Sequence, residues 1–591
     1  MSFSAEQTPR GLKHVTQEAD VCVVGGGMAG VAAALAAARH GARVVLMHER
    51  PVLGGNASSE MRVHICGADV HNGYKHMRET GILEELRLEN LRRNPLKNFS
   101  VWDTILYEKA LLQPGLTTLY NCSCQQAEMQ SDAIASVTGW QLTTESYQTV
   151  RAKLFIDCSG DAILAPLTGA DFRMGREGRA EYGESIAPEV ADARTMGMTC
   201  FFQTREYATP QPFTAPCWAY THFTDDDLPE GAHAHRWWQM GYWWVELGGE
   251  DQSIDDTERL RDELLKIAYG VWDHIKNRGE HGAENWALEW LQFLPAKRES
   301  RRYLGDHVLC QRDVEAEGRF DDLVAYGGWS MDDHHPAGFR AARLGYPPTI
   351  YHLAPSPYGI PYRALYSRNI ENLLFAGRCA SCTHAAMSST RVMGTGMTMG
   401  QAAGVAAAIA CRDGLTPRAV GAQRLRELQQ TLLQDDCYLP WIAQELSPAT
   451  RNARLTAAQG DPEPVRDGIN RQVGEDTHAW ICVPGDTITY TFAQPTPLRQ
   501  LTLLLDSGMD LTIAMSYHQP DDQLTAPPPP MPKALRLESL RDGVWQPLYT
   551  LTDNYQRLLR LPLEGAHDAL RFTLDATWGG GESRVYGFYV E

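Results

Sequence analysis

The sequence has no apolar run that could cross a membrane. Its longest apolar runs, such as VAAALAAA at residues 31–38, are far shorter than the roughly 20 residues that a spanning helix needs. The first residues contain neither the apolar core of a signal peptide nor a twin-arginine pair. We therefore expect a soluble, cytoplasmic protein.

Basic residues are also scarce. Lys plus Arg amount to 54 against 73 Asp plus Glu, a formal net charge of -19, and no basic cluster offsets that balance. A chain of this charge repels nucleic acid and anionic membrane surfaces. We expect neither as a partner.

The 13 cysteines are odd in number and have no regular spacing. Such a set in a large chain indicates neither a disulfide framework nor a metal-binding motif, so we expect reduced thiols and no bound metal. Cys379 and Cys382 form a C-x-x-C pair, for which a redox role is the less favoured interpretation. Cys122 and Cys124 are predicted to alternate along a strand, and no cysteine run could hold an iron–sulfur cluster.

What the sequence does contain is a strand, a glycine turn, a small-residue helix and a second strand at residues 19–50. Gly25 permits the tight turn, Gly27 lets the backbone approach a pyrophosphate, and Gly30 lets the helix pack closely on the sheet. The phosphates then lie at a helix N-terminus, where free N–H groups favour negative charge. Glu49 ends the second strand at the sequence spacing where a carboxylate binds a ribose, which disfavours NADP.

A second glycine-rich segment follows about 350 residues later and combines a short apolar strand with a helix start. The segments to be considered with it are PVLGGNA (51–57), LFIDCSGDAILAPLTGADF (154–172), RESRR (298–302), YGIPYRAL (358–365), FAGR (375–378) and GTGMTMGQAAG (394–404). Together they resemble flavoproteins of the glutathione reductase and fumarate reductase type. More narrowly, they resemble the bacterial FAD-dependent oxidoreductases, some of which carry carbohydrate-related names. The likeness covers about residues 17 to 445.

The resemblance implies one FAD site built from both glycine segments. The helix start at 394–396 is expected to direct N–H groups at the edge of the flavin where negative charge develops. His64 suggests covalent attachment by analogy with fumarate reductase, but its segment departs from that pattern, so we expect noncovalent FAD. The predicted cofactor-binding residues are Gly25, Gly27, Met28, Ala29, Gly30, Glu49, Arg50, Gly55, Asn56, Arg62, Ser159, Gly160, Asp161, Gly377, Arg378, Gly394, Thr395, Gly396 and Met397.

The predicted fold class is α/β, a Rossmann-like FAD-binding domain with an inserted α+β substrate domain and a C-terminal β-sandwich. The FAD-binding domain is expected at 17–170 and 366–445, the substrate domain at 171–365 and the sandwich at 450–591. After about residue 448 the chain changes to short alternating runs separated by Pro, Gly and Asp, which favours strands. This sandwich resembles galactose-binding-like domains, although a module that braces the catalytic part is the favoured interpretation.

Candidate catalytic residues lie in the insertion and before the closing flavin helix. In MDDHHPAGF (331–339) either His334 or His335 could accept an alcohol proton, and only one of them should face the cavity because adjacent strand residues point opposite ways. His384 is a second candidate base, and Arg391 could bind substrate or reduced flavin. Arg302, in RESRR on a predicted strand, could bind substrate or form an internal ion pair.

We expect a small-molecule substrate. The predicted reaction removes hydride from a carbon bearing a hydroxyl, most plausibly on a sugar or glycoside, with transfer to flavin N5 and reoxidation by an external electron acceptor. The tryptophans at 237, 238, 243 and 244 could stack on sugar rings but are more typical of a core. The alternatives are an FAD-dependent reductase of an activated C=C bond and a noncatalytic carbohydrate-binding flavoprotein. The sequence leaves a homo-oligomer open.

Overall fold

The computed structural model describes residues 11–68, 75–229, 235, 241–278, 281–515 and 523–591. Its first elements are β1 (Lys13–Val24), α1 (Met28–Arg39), β2 (Val44–Met47), α2 (Ile82–Arg93), α3 (Phe99–Leu111), β3 (Leu116–Leu119), β4 (Cys122–Gln130), β5 (Ala133–Gln141), β6 (Ser146–Asp157) and α4 (Leu164–Thr168). The sheet order is β3-β2-β1-β6-β5-β4. The pairs among β3, β2, β1 and β6 are parallel, and β6 continues antiparallel into β5 and β4.

The parallel part of this sheet is buried on both faces, which explains the continuous apolar run at the end of β1. The alanine-rich helix α1 is buried over nearly its whole length. Alanine combines high helix propensity with a small side chain, so this helix can be covered on all sides without crowding.

The next region carries short strands and one long helix. Its elements are β7 (Phe172–Arg173), α5 (Arg179–Tyr182), β8 (Met198–Thr199), β9 (Phe202–Glu206), β10 (Glu246–Leu247), α6 (Thr257–Asp273), β11 (Trp286–Leu291), β12 (Ala296–Lys297), β13 (Arg302–Tyr303), α7 (Gln311–Glu315), β14 (Leu323–Gly327), β15 (Met331–His334), β16 (Thr349–His352) and β17 (Tyr358–Pro361). An aromatic core surrounds α6, whereas α7, β14 and β17 contribute to the core of the first sheet. This region, expected to be an inserted substrate domain, therefore shares part of its packing with the first sheet.

The chain then returns to the first sheet. The elements are β18 (Leu373–Phe375), α8 (His384–Thr390), α9 (Met393–Asp413), α10 (Pro417–Gln423) and α11 (Leu425–Gln434). β18 pairs in parallel with β6 and makes the sheet seven-stranded. This pairing brings the late glycine segment beside the early one, as the resemblance implied.

A β-sandwich follows, with α12 (Pro448–Asn452), β19 (Arg454–Ala457), β20 (Trp480–Cys482), β21 (Thr487–Pro497), β22 (Gln500–Leu505), β23 (Pro532–Arg541), β24 (Val544–Leu551), β25 (Leu558–Pro562), β26 (Ala566–Thr577) and β27 (Ser583–Val590). Its sheets have the orders β19-β21-β26-β23-β24 and β20-β27-β22-β25, around a core of their own.

Buried arginines attach the sandwich to the nucleotide-binding region. Arg557 Nε lies 2.8 Å from Asp436 Oδ2, with both side chains almost fully buried. Arg78 donates to the Leu511 carbonyl at 2.7 Å, and its guanidinium is completely buried. Because a buried charge is costly unless it is paired and hydrogen-bonded, these contacts fix how the two parts pack. They favour the bracing interpretation of the sandwich.

Several sequence expectations can be compared with these elements. Helix α2 begins at Ile82, directly after Gly81, whose φ of 71° ends the preceding turn. RESRR is not a continuous strand as predicted, since only Arg302 lies in β13. Helix α6 buries Leu260, Leu264, Ile267, Ala268 and Val271 at helical spacing, and Trp244 lies in the aromatic core as expected. Trp237 and Trp238 lie outside the described residues.

The cysteines in the structure are free thiols. The C-x-x-C pair is buried, and burial raises the pKa of Cys382 to about 12. A thiol that stays protonated is a poor nucleophile, so its environment does not favour redox exchange.

Among the helices that the structure describes, none has the length and apolarity needed to cross a bilayer.

Candidate active site

Two glycines in the turn after β1, Gly25 and Gly27, have different structural roles. Gly25 has a φ of +99°, and a Cβ there would lie 2.5 Å from the backbone of Cys158, so only glycine fits. Gly27 has a φ of -66°, and a Cβ there would be 4.0 Å from its nearest neighbour, Gly55. Gly27 also lines the cavity described below. Gly25 is therefore required by the backbone geometry of the turn, whereas the missing side chain of Gly27 leaves room in the cavity.

A histidine missed by the sequence analysis supports the same turn. His48 Nδ1 accepts a hydrogen bond from the Gly26 amide at 2.9 Å, and its Nε2 lies 2.9 Å from the Val52 carbonyl. Burial lowers the pKa of His48 to about 4. The imidazole is therefore neutral near pH 7, which leaves Nδ1 free to act as an acceptor. No sequence motif marks this role.

The two glycine segments meet through a close crossing of α1 and α9. A Cβ on Gly400 would lie 2.1 Å from the Ala29 carbonyl oxygen, and one on Gly404 would lie 2.3 Å from that of Ala33. The helices are thus in backbone contact, which requires glycine at the crossing. Gly377 is also close, since its Cβ would lie 3.1 Å from that of Ala29.

An open cavity of about 260 Å³ lies between these segments. Most of the predicted cofactor-binding residues line it: Gly25, Gly27, Met28, Ala29, Glu49, Arg50, Gly55, Asn56, Ser159, Gly160, Asp161, Gly377, Arg378 and Gly396. Arg391, Met393 and Ile254 belong to the same wall. Gly30 lies beneath it, where a Cβ would be 1.8 Å from the Gly25 carbonyl oxygen.

One side of the cavity carries a charged network. Asp161 binds Lys297 at 2.8 Å and lies 3.4 Å from Arg378. Burial raises the pKa of Asp161, but the charges of Lys297 and Arg378 outweigh that effect and lower it to about 2. Arg378 Nη1 is buried and makes no hydrogen bond within the described residues. A cationic donor left in a cavity wall suits anionic oxygens such as those of a pyrophosphate.

These features fit FAD. The glycine turn opens α1 beside free backbone N–H groups, Glu49 follows β2 at the position expected for a ribose ligand, and Arg378 offers an unused donor. Lys297 was not predicted as part of this site, because its side chain reaches Asp161 only through the tertiary fold.

Four of the predicted cofactor-binding residues lie behind the cavity wall. Arg62 donates to Gln203 Oε1 at 2.7 Å and stacks 4.5 Å from the centre of the Trp290 ring. A Cβ on Gly394 would lie 2.7 Å from the buried carboxylate of Glu79, to which Thr395 also donates. Met397 belongs to the apolar core. In these positions they support the wall and do not line it.

Strand β15 divides the acidic and histidine candidates between its two sides. Asp332 Oδ2 lies 3.0 Å from Arg391 Nη2, and His334 Nε2 lies 3.5 Å from the same carboxylate oxygen. Asp333 points the other way, with Oδ1 3.1 Å from His384 Nε2. The alternation follows from the pleat of the strand.

A glutamate of β10 orients His334. Glu246 Oε2 lies 2.6 Å from His334 Nδ1 and 3.3 Å from Arg298 Nη1. Burial raises the pKa of Glu246, but Arg298 and His334 lower it to a net value below its ordinary one. The carboxylate therefore stays ionised and accepts a hydrogen bond from Nδ1, while Nε2 faces the carboxylate of Asp332. His334 and His335 are not among the residues that line the cavity, so the expectation that one of them faces it is wrong.

His384 has a different character from the base that we predicted. Its Nδ1 lies 2.7 Å from Glu299 Oε2, and its Nε2 contacts Asp333. Burial lowers the pKa of His384, but the two carboxylates raise it to about 10 overall. The ring is then a cation near pH 7, and a protonated imidazole cannot accept an alcohol proton. The adjacent carboxylates, which lie apart from it in sequence, determine this difference.

Arg302 is an internal ion-pair residue. It is fully buried, binds Glu177 at 2.7 Å and contacts Glu299, and its remaining donors reach backbone carbonyls. With its donors satisfied by protein groups, it has none to offer a substrate. Of the two roles that the sequence left open, these contacts favour the internal ion pair over substrate binding. His335 is partly exposed and stacks on Tyr346, with ring centres 5.0 Å apart.

The chain is similar to one protein family and, over a short stretch, to one curated protein. The model of a family described as FAD dependent oxidoreductase matches residues 20–432. Sarcosine oxidase subunit alpha of Corynebacterium sp. (strain U-96) is 46% identical over 63 residues, which cover 11% of this chain and 6% of that protein. The chain thus matches only a small part of the length of that curated relative.

Two solved structures illustrate the structural likenesses. The FrdA chain of E. coli quinol fumarate reductase is 13% identical, with 71% of this chain and 75% of that chain covered and a TM-score of 0.29. The family 32 carbohydrate-binding module of Streptococcus pneumoniae EndoD is 11% identical, with 24% and 99% covered and a TM-score of 0.19. These TM-scores are too low to support a conclusion about function.

Proposed function

The chain belongs to the FAD dependent oxidoreductase family, and from this premise we propose that it oxidises a CH–OH group, most plausibly of a sugar or glycoside. FAD is its cofactor and, when bound, supplies the hydride acceptor at N5. The electrons then pass to an external acceptor. The binding is noncovalent, with the glycine turn and Arg378 holding the pyrophosphate.

One chain of contacts supports this assignment most directly. Arg391 lines the cavity and binds Asp332, and the same Asp332 oxygen lies 3.5 Å from His334 Nε2. Behind His334, Glu246 holds Nδ1 at 2.6 Å. A carboxylate–imidazole pair of this form is a common way to fix a tautomer and to stabilise the imidazolium formed after proton uptake.

In this proposal His334 is the base that takes the hydroxyl proton. Glu246 keeps the proton of the neutral ring on Nδ1, so Nε2 is the accepting atom. When Nε2 becomes protonated, Glu246 and Asp332 both compensate the new charge. General-base assistance of this kind contributes about 10²- to 10⁴-fold to a rate.

Arg391 binds the substrate oxygen. Its Nη2 is held by Asp332, while its buried Nε makes no hydrogen bond within the described residues. A guanidinium donor next to the proton acceptor can orient a hydroxyl and stabilise its developing negative charge. His384 stays protonated and, by pairing with Asp333 and Glu299, secures α8 against β15 and the segment before β13.

A second candidate function is reduction of an activated C=C bond. The observation that favours it is the position of Arg391, which lines the cavity and whose buried Nε makes no hydrogen bond within the described residues. A guanidinium placed there offers a cationic donor for carboxylate binding and proton delivery. In that reaction His334 would have no role as a base.

The test is anaerobic mixing of the purified holoprotein with monosaccharides, glycosides and uronic acids while absorbance at about 450 nm reports flavin reduction. We expect at least one of these compounds to bleach the flavin, and His334→Gln to slow the bleaching by about 10²- to 10⁴-fold. His335→Gln is the matched control, since that neighbour stacks on Tyr346 away from Glu246.

The outcomes separate the candidates. If no CH–OH compound bleaches the flavin, but dithionite-reduced protein is reoxidised by activated alkenes, the reductase is correct. A flavin that neither group of compounds affects would identify a noncatalytic flavoprotein. Equal rates in His334→Gln and wild type, with a sugar substrate in hand, would remove His334 from the mechanism.

A further inference from the structure

Four potential metal ligands converge in the insertion, away from the residues that line the cavity. They are Asp225, His235, His274 and His281, here called the histidine cluster, and one ligand atom from each lies within 4.8 Å of the others. Spacing in the sequence did not indicate a metal motif, because the four residues are widely separated. They come together only through the end of α6 and the loops beside it.

The distances within the histidine cluster match a small coordination shell. Asp225 Oδ1 lies 3.0 Å from His274 Nε2 and 3.1 Å from His235 Nε2. His281 Nε2 lies 3.0 Å from His274 Nε2. Tetrahedral zinc with bonds of about 2.0–2.1 Å separates its ligand atoms by roughly 3.3–3.4 Å. These three contacts are a few tenths of an ångström shorter than that separation, and the four ligand atoms all lie within 4.8 Å of one another, so side-chain movements on the order of an ångström would close the shell around an ion.

Surrounding contacts prepare His274 for coordination. Its Nδ1 lies 3.0 Å from the Phe223 carbonyl oxygen, which can only accept, so the ring carries its proton on Nδ1. Nε2 then presents a lone pair to the cluster. A histidine that donates its other N–H to a backbone carbonyl is the usual arrangement of a metal ligand.

His235 is a second, independent indication. Its side chain is 8% exposed, its Nε2 has only the ion-pair contact with Asp225 at 3.1 Å, and its Nδ1 makes no hydrogen bond within the described residues. A buried polar group without a partner is costly, and native proteins rarely leave one so. A bound cation would give one ring nitrogen of His235 a partner, together with one ring nitrogen each of His274 and His281. The carboxylate of Asp225 is 74% exposed, which leaves a route for an ion from solvent.

We propose that the histidine cluster binds one divalent transition-metal ion, with Zn²⁺ as the preferred species. Three imidazoles and one carboxylate form a donor set that suits zinc, and four protein ligands complete a tetrahedral shell. The site is structural. It joins the turn at Asp225 to the end of α6 and to the segment that leads into β11.

The experiment uses the full-length holoprotein, treated with a chelator and dialysed, and then titrated calorimetrically with Zn²⁺ alone. We expect about one zinc per chain, confirmed by elemental analysis after gel filtration. His281→Gln and His235→Gln should each weaken binding by at least about 100-fold, since removing a group that only orients a ligand already costs about 10- to 100-fold. Asp225→Asn should also weaken binding.

Matched controls are available beside the cluster. Asp226→Asn removes an equally exposed carboxylate one residue further on, and His222→Gln removes an exposed imidazole outside the cluster, so both should bind zinc like wild type. Flavin content and circular dichroism check the fold of each variant. His281 is the less buried histidine, so His281→Gln remains informative if His235→Gln fails to fold.

Cobalt gives a separate readout. Co²⁺ bound at four tetrahedral ligands shows intense d–d bands that an ion on the protein surface lacks, and these bands should disappear in His281→Gln. The proposal is overturned if wild type binds no zinc, if His281→Gln binds it with wild-type affinity, or if Asp226→Asn weakens binding as much as Asp225→Asn.

Discussion

Replacing Gly27 with alanine should separate cofactor binding from folding. Gly27 has a φ of -66°, which alanine adopts readily, and a Cβ there would meet nothing closer than 4.0 Å within the protein. The added methyl group would instead point into the cavity that Gly27 lines, where we propose that the pyrophosphate binds. The fold should therefore tolerate the substitution, whereas the bound cofactor should not.

The expected size of the effect follows from steric crowding. Inserting a methyl group into a closely packed contact costs about 1–3 kcal/mol, which corresponds to a roughly 5- to 150-fold increase in the dissociation constant of FAD. The unfolding free energy of the apoprotein should change by less than about 0.5 kcal/mol, as for other substitutions that create no clash.

Gly25→Ala is the matched control with the opposite result. Gly25 has a φ of +99°, and its added Cβ would lie 2.5 Å from the Cys158 backbone. Backbone strain and overpacking of about 1–3 kcal/mol each should lower the stability of the apoprotein by roughly 2–6 kcal/mol.

The assay titrates each apoprotein with FAD by flavin fluorescence and follows urea unfolding in parallel. The reasoning is refuted if Gly27→Ala binds FAD with wild-type affinity, or if its apoprotein is destabilised as much as that of Gly25→Ala.

Further predictions concern the charged networks. Glu246→Gln should lower kcat by at least about tenfold without a matching rise in KM, because His334 loses its orienting carboxylate, and steady-state kinetics on the identified substrate would show otherwise if only KM changed. The pKa of His384 is raised from 6.5 to about 10 in the folded protein. Its ion pairs therefore contribute stability that is complete below about pH 6.5 and is lost as the pH rises toward about 10. Denaturant midpoints measured from about pH 6 to pH 9.5 should fall more steeply in wild type than in His384→Gln, and parallel curves would contradict this. Asp436→Asn should lower the unfolding free energy by about 3–5 kcal/mol, because it leaves Arg557 buried without its partner, and a thermal midpoint equal to wild type would show that the pair does not brace the sandwich.

The nucleotide-binding part was largely readable from the sequence, because its chemistry is local. A glycine turn, the helix that follows and an acid after the next strand specify their own geometry, so Gly25, Gly30 and Glu49 could be placed before the fold was known. The α1–α9 crossing was not predicted, although the small residues of both segments explain it once the fold is known. A parallel pairing between β6 and β18 then brings the segments together.

The charge states of the catalytic candidates could not be read in this way. His384 resembled a base until Asp333 and Glu299 were seen on its two nitrogens. Arg302 resembled a substrate ligand, but Glu177, far away in sequence, occupies it. Pairings of this kind depend on which loops of the insertion meet, and local patterns do not encode that.

The histidine cluster and the orienting role of Glu246 also depend on contacts between residues that are distant in sequence. Glu246 comes from β10 and reaches His334 across 88 positions of sequence. Neither group has a spacing that periodicity or a short motif would reveal.

The most direct test of the whole account is the flavin content of the purified, folded protein, measured from its visible spectrum and from flavin released by denaturation. The account predicts one FAD per chain, released without covalent attachment, and a lower FAD affinity in Gly27→Ala. Colourless, folded protein that cannot be reconstituted with FAD would contradict it.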